Sequence, residues 1–263
     1  MTDVSTAVGG HLRAWRQRRR LSQLDLACEA DISTRHLSFL ETGRAQPSRQ
    51  MVLHLADRLE VPLRDRNVML VAAGFAPVFP ERALDDPALK AARAAVDLIL
   101  AGHEPFPALA VDRGWNLVAA NRAVALLTAA VDPSLLAGTV NVLRLALHPK
   151  GLAPLTENHA EWRAHILERL RRQVELTADH GLEALLAELR TYPAPPASRR
   201  AFVDEYGGVA VPLRLRTPAG VLSFLSTTTV FGTPVDITLS ELTLETFFPA
   251  DAATAEALRA YPL

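Results

Sequence analysis

The sequence predicts an all-α domain of five short helices followed by an α+β domain built on a five-stranded antiparallel sheet. Three observations carry that expectation. Between residues 8 and 73, apolar residues recur at helical spacing in short runs set off by capping residues. From residue 105 onward, two β-type runs, several helical runs and three further β-type runs follow one another. Between these regions Gly74-Phe75-Ala76-Pro77-Val78-Phe79-Pro80 breaks the periodicity with a glycine and two prolines. The expected divisions are 1–75, a hinge and connecting helix over 76–104, and 105–263.

In the first region, Leu12 and Trp15 lie three residues apart in an amphipathic helix over Val8–Arg20, ended by Leu21. Ser22 is the expected N-cap of a second helix carrying Leu24, Leu26 and Ala27. Ala30-Asp31-Ile32 forms a turn, with Ile32 as the apolar plug. Ser33 caps a third helix whose Leu37 and Leu40 point inward, with Thr34, Arg35, His36 and Ser38 left mostly to the outer face. Phe39 is assigned to the core rather than to contact with a thymine methyl. Gly43 ends this helix. Pro47-Ser48 opens a fourth with Met51, Val52, Leu55, Ala56 and Leu59, and Pro62 opens a fifth running to about Ala73. The stretch Leu21–Gly43 therefore reads as two helices joined by a tight turn, the second with a polar, basic outer face. That is the pattern of a helix-turn-helix.

Charge agrees in sign. The chain of 263 residues has a formal net charge of −1, yet Met1–Phe75 holds 11 Lys/Arg against 8 Asp/Glu. The remainder holds 17 against 21, so the positive share lies where phosphate contact would need it. Cys28 is the single cysteine, which excludes an internal disulfide and suggests a reducing compartment; it is expected to be a small buried residue of the second helix. No apolar run approaches the ~20 residues of a membrane span, and the start of the chain is polar, so a cytoplasmic location without a membrane partner is expected.

Leu21-Ser22-Gln23, Leu24, Ala27, Ile32-Ser33, Leu37-Ser38, Leu40-Glu41, Gly43 and Pro47-Ser48 resemble the repressor-like (XRE-type) helix-turn-helix family over about the first seventy residues. The resemblance implies a DNA-binding transcriptional regulator. It places Ser22 and Gln23 at the start of the second helix, Gln23 on phosphate and base edge. Ser33, Thr34, Arg35, His36 and Ser38 fall on the recognition helix, with Arg35 the candidate for a guanine. Arg44, Ser48 and Arg49 fall near backbone phosphates. It also implies a buried salt bridge between Arg16 and Glu41.

In the second region, Asp86-Pro87 starts a helix with Leu89, Ala92, Val96, Ile99 and Leu100 at helical spacing, which connects the domains or sits between subunits. Pro107–Asn121 reads as strand, turn, strand, with Gly114 expected at the φ > 0 position. Arg122–Ala130 reads as helix, while Asn141–Leu147 is ambiguous between helix and strand. Glu157–Glu175 is a helix with Trp162, Ile166, Leu170 and Val174 on one stripe. Its surface is assigned to Arg163, Glu168, Arg169, Arg171 and Arg172. Leu182–Leu189 is a further helix, and Pro193–Gly208 contains a loop. Strands are expected over Val209–Arg216, Val221–Val230 and Val235–Phe248, the last with a β-bulge at Ser240-Glu241. Helices are expected on one face of the resulting sheet, in the order of a PAS-type sensor.

Val111-Asp112-Arg113-Gly114-Trp115, Asn121-Arg122-Ala123, Asn141-Val142-Leu143-Arg144, Leu147-His148-Pro149, Glu161-Trp162-Arg163 and Phe247-Phe248-Pro249 resemble the MmyB-like ligand-binding domain that accompanies XRE-type regulators. That resemblance implies a PAS-like fold with an apolar cavity for a small apolar, fatty-acid-like ligand. Arg122, Arg144 and Arg163 are the candidate anchors for a ligand carboxylate, the alternative being helix-surface arginines. Trp115, Trp162, Phe224, Phe231 and Phe247 are candidate pocket walls, the alternative being core filling.

No hydrolase, P-loop or Cys-pair metal motif occurs. His159 and His165 are six apart on one helix and His148 lies outside it, so they are expected at a surface or interface rather than on a metal. The sequence thus leads to a ligand-responsive regulator binding an operator in double-stranded DNA as a homodimer, with no cofactor. A ligand-free C-terminal dimerisation or protein-interaction module is the alternative, and an enzyme fused to a DNA-binding domain comes last.

Overall fold

A computed structural model describes residues 7–193, 210–218 and 220–261. By backbone contact these residues form two compact units, described separately. The first runs through Arg82 and takes in Glu175–Thr177 and Thr233–Ser240; the second comprises the rest.

The first unit is built on α1 (Val8–Arg18), α2 (Gln23–Glu29), α3 (Thr34–Glu41), α4 (Arg49–Arg58) and α5 (Leu63–Ala72). Three of these begin on a serine whose hydroxyl accepts a backbone N–H three residues on: Ser22 from Asp25, Ser33 from His36 and Ser48 from Met51, each at 3.1 Å. At α2 the Asp25 carboxylate also accepts from the Ser22 N–H at 2.8 Å, which completes a capping box. Gly43 takes φ 72° just past α3, the left-handed exit expected there. Leu12, Leu26, Leu37, Leu40, Val52, Leu55 and Leu59 are fully buried, and Ile32 packs partly buried against their cluster. Two expectations fail. Cys28 is exposed, because the buried side of α2 is taken by Leu26 and Ala27; Leu24 likewise faces out, 60% exposed. Phe39 lies outside the core cluster, since Leu37 and Leu40 already occupy the inward face of so short a helix.

The hinge sequence folds back on α5. Asn67 Oδ1 accepts from the N–H groups of Val78 (3.0 Å) and Phe79 (3.1 Å), while its Nδ2 donates to Phe79 O at 2.7 Å. One amide thus satisfies three backbone groups of a segment that has no ladder of its own.

The second unit contains α6 (Lys90–Gly102), β1 (Ala108–Val111), β2 (Leu117–Ala120), α7 (Val124–Thr128), α8 (Val142–Leu147), α9 (His159–Thr177, but for its last three residues), α10 (His180–Thr191), β3 (Leu213–Thr217), β4 (Gly220–Val230), β5 (Thr243–Pro249) and α12 (Ala252–Ala260); α11 (Ile237–Ser240), in the β4–β5 connection, belongs to the first unit. The strands form one antiparallel sheet of order β2-β1-β5-β4-β3. Asn141–Leu147 resolves as a helix, because the Asn141 side chain accepts the Arg144 N–H at 3.1 Å and caps it. The expected bulged strand over Val235–Phe248 is instead a helical turn followed by β5. Asp236 starts that turn by accepting the Thr238 N–H at 2.9 Å, a local bond that competes with a strand ladder. Residues 194–209 and 219, which include most of the expected loop and the start of the next strand, lie outside the described residues.

Helices cover both faces of the sheet rather than one. Leu109 and Val111 of β1 join the large core with α9 and α10, whereas Ala108 and Ala110 pack with Val96 and Leu100 of α6. All four residues of β1 are buried for that reason. Among the described residues no helix is long and apolar enough to cross a membrane.

Candidate nucleic-acid interface and ligand cavity

In the first unit, the two helices of the expected DNA-reading motif are clamped to the first by charge. Arg16 donates to both carboxylate oxygens of Glu41, at 2.6 and 2.9 Å, and to Leu21 O at 2.8 Å. Gln23 Nε2 adds a bond to Glu41 Oε2 at 2.8 Å, so the start of α2 is tied to the end of α3. The salt bridge that the resemblance implied is present and buried.

Outward from this clamp, Arg35 is exposed, Thr34, His36 and Ser38 are half-buried, and Arg44, Ser48 and Arg49 are exposed. The Arg35 guanidinium lies 5.3 Å and that of Arg44 6.0 Å from the Phe39 ring centre. Phe39 is therefore a platform between two cations, not a core residue. Arg49 sits 5.9 Å from the Phe75 ring. Ser22, Ser33 and Ser48 use their oxygens as caps, which leaves each hydroxyl proton able to donate to a phosphate.

In the second unit, the residues carrying the second resemblance serve mainly as scaffold. Asp112 Oδ1 accepts the N–H groups of Gly114 (2.8 Å) and Asn116 (2.9 Å), closing the β1–β2 turn. The left-handed residue of that turn is Trp115, at φ 65°, and not Gly114. A Cβ on Gly114 would come within 3.0 Å of the Asn116 amide, so its glycine answers a close approach instead of a positive φ. Asn121 joins Leu100 O, Phe106 O and the Ala108 N–H, and Asn141 Nδ2 reaches Gly114 O at 2.7 Å.

These turns surround a cavity of about 240 Å3 between the sheet and helices α7, α8 and α9, with walls that are mostly leucine, valine and tryptophan. Of the candidates, Trp115, Trp162 and Phe247 lie on its wall. The others lie elsewhere. Phe224 is fully buried in the core, edge-on to Phe247, and Phe231 packs with the α6 cluster. Arg122 pairs with Glu104 at 2.6 Å, Arg144 with Glu188 at 2.8 Å, and Arg163 donates to Arg190 O at 3.0 Å. None of these three cations lines the cavity, because each is held by a partner at the helix surface.

The charged groups that do line it are Arg169 and Glu245. Arg169, assigned by sequence to the outer surface of its helix, donates to Glu245 at 2.5 and 3.1 Å and to Thr228 Oγ1 at 2.7 Å. Its guanidinium stacks 4.6 Å from the Trp115 ring, and Trp115 Nε1 donates to Gln173 at 2.8 Å. The spacing of Trp162, His165, Ile166 and Arg169 on one helix was the available signal: i, i+3, i+4 and i+7 share a face. His165 lines the cavity and His159 is buried, where a surface or interface position was expected for each. Burial pushes both histidines below their ordinary pKa; for His165 the neighbouring Arg169 adds to the effect, and for His159, Arg163 does. Among the described residues no cluster of His, Cys, Asp or Glu could hold a metal ion.

A family model for the MmyB-like transcription regulator ligand binding domain matches residues 92–260, and a helix-turn-helix domain model matches residues 7–69. A search of curated proteins finds no match to the chain.

Proposed function

We propose, for a chain that belongs to the MmyB-like transcription regulator family, a regulator that reads a pseudo-palindromic operator as a homodimer and responds to a small apolar ligand. A DNA-binding transcription regulator with a ligand-binding domain follows from the two families matched. The finer reading rests on one observation: a partly open cavity of about 240 Å3 with largely apolar walls, in the same chain as a clamped helix-turn-helix. At just under the ~300–1,000 Å3 of drug-sized sites, it suits a small ligand. The strand order β2-β1-β5-β4-β3 with helices over the cavity supports a PAS-like sensor. Arg35 leads the base-reading set, with Gln23, Ser33, Thr34, His36 and Ser38, while Ser22, Arg44, Ser48 and Arg49 position the domain on phosphates. The protein acts in the cytoplasm and carries out no catalysis.

Selection of bound sequences from a random duplex pool by the full chain, followed by footprinting, tests the DNA half. Two half-sites with centres about 34 Å apart, or a multiple of that, are expected; a single asymmetric site would remove the homodimer. Native mass spectrometry with organic extraction tests the sensor half. A copurifying small apolar molecule supports it, and a clean mass supports a ligand-free dimerisation module.

A further inference from the structure

The polar groups on the cavity wall constrain the head of any ligand that enters, given the reading above that the cavity takes a small apolar molecule. Glu245 is 4% exposed. Its carboxylate already accepts two bonds from Arg169 and one from Thr228 Oγ1, at 3.0 Å. The guanidinium is spent in turn on Glu245, Thr228 and the Trp115 face. Among the described residues the one cation on the wall is thus matched by the one anion, and the pair closes on itself.

A ligand carboxylate would have to share a single guanidinium with a buried carboxylate, which places two like charges together in a site of low dielectric. An ammonium would face Arg169 with the same penalty reversed. Besides Trp162, whose buried indole N–H has no partner among the described residues, two other polar side chains on the wall have no such commitments. His165 and Ser226 line the cavity, and neither makes a side-chain hydrogen bond among the described residues. The His165 ring stacks on Trp162 at 5.4 Å and, with its pKa held down by burial, is neutral at neutral pH. It offers one N–H donor and one acceptor nitrogen, and Ser226 offers a hydroxyl.

We infer that the cavity selects a neutral apolar molecule bearing a single hydroxyl or carbonyl, received by His165 and Ser226, and excludes a free carboxylate because Glu245 already holds Arg169. The free-acid head of a fatty acid is the head this wall disfavours. At roughly 30 Å3 per heavy atom, taking the share of a water in the liquid, the volume admits about eight heavy atoms. 1-Octanol and octanoate slightly exceed that volume, which the partly open cavity allows, and serve as probes that share an alkyl chain and differ in head charge.

Two of the three tryptophans, Trp115 and Trp162, line the cavity, so intrinsic fluorescence of the full chain reports occupancy. In the wild type, 1-octanol should bind at least about tenfold more tightly than octanoate. Glu245→Gln leaves Arg169 unmatched and should reverse the order, tightening octanoate by about tenfold or more with little change for the alcohol. Octanoate binding the wild type as tightly as octanol overturns the inference about the head while leaving an apolar cavity in place. Saturable binding of neither probe overturns the apolar-ligand reading itself. Should Glu245→Gln fail to fold, the wild-type ratio still decides.

Discussion

Arg16 and Glu41 meet through two parallel hydrogen bonds, Nε to Oε1 at 2.6 Å and Nη2 to Oε2 at 2.9 Å, with 10% and 2% of their side chains exposed. The bidentate geometry satisfies both charges where little water reaches them. It also joins the first helix to the end of the third, through which the recognition helix is oriented. Removing one partner leaves the other charged and buried. Glu41→Ala should therefore destabilise the first unit by about 3–5 kcal/mol, a large part of the ~5–15 kcal/mol typical of a whole domain. Thermal unfolding of the full chain followed by circular dichroism checks this; an unchanged first transition would mean that the pair adds nothing.

Gly9 tests the same helix contact by shape instead of charge. A Cβ there would sit 2.5 Å from Leu40 O and 2.6 Å from Glu41 O, both backbone atoms that cannot swing away. Gly9→Ala should push α1 off the end of α3 and cost about 1–3 kcal/mol by overpacking, despite the better helix propensity of alanine. A gain in unfolding midpoint would show that the two helices have room to part.

Arg35→Ala should weaken specific DNA binding by roughly 1–3 kcal/mol and relax the preference at one base pair. Arg44→Ala should instead weaken binding about equally on all sequences and lower the salt slope by about 1. Titrations of selected and scrambled duplexes at several salt concentrations separate the two. Equal selectivity of Arg35→Ala and wild type would remove Arg35 from base reading. Because both guanidinium groups flank Phe39, Phe39→Ala should loosen both and fall between these patterns.

The buried histidines make the second unit sensitive to mild acid. The folded pKa values of His159 and His165 lie below the ordinary 6.5, so the unfolded chain takes up protons first as the pH falls. Stability should decline as pH drops below about 6.5 and level off once the folded histidines also titrate. Carboxylates remain ionised in both states through the upper part of that window, which isolates the histidine effect. Urea midpoints of the second unit's transition at pH 7.5 and 5.5 should differ, and His159→Gln should narrow the difference. A midpoint equal at the two values would contradict the assignment.

The parts of this protein written in local spacing are legible without any three-dimensional information. Ser22, Ser33 and Ser48 cap helices because each places an oxygen before a run of unsatisfied N–H groups, a relation complete within four residues. The Trp162–Ile166–Leu170 stripe and the turn around Asp112 are local in the same sense and were legible too, except that the positive φ of the turn falls on Trp115 and not on Gly114. Tertiary structure alone decided which side chains meet across long separations. Arg169 reads as a surface residue until β5 brings Glu245 against it, 76 positions away. Arg122, Arg144 and Arg163 read equally as ligand anchors or as helix-surface arginines until each is seen held by Glu104, Glu188 or the Arg190 carbonyl. Helical period says which residues share a face, but not which face the sheet will cover or which charge is already spent. For that reason the helix-turn-helix could be read nearly residue by residue, whereas the polar wall of the cavity could not.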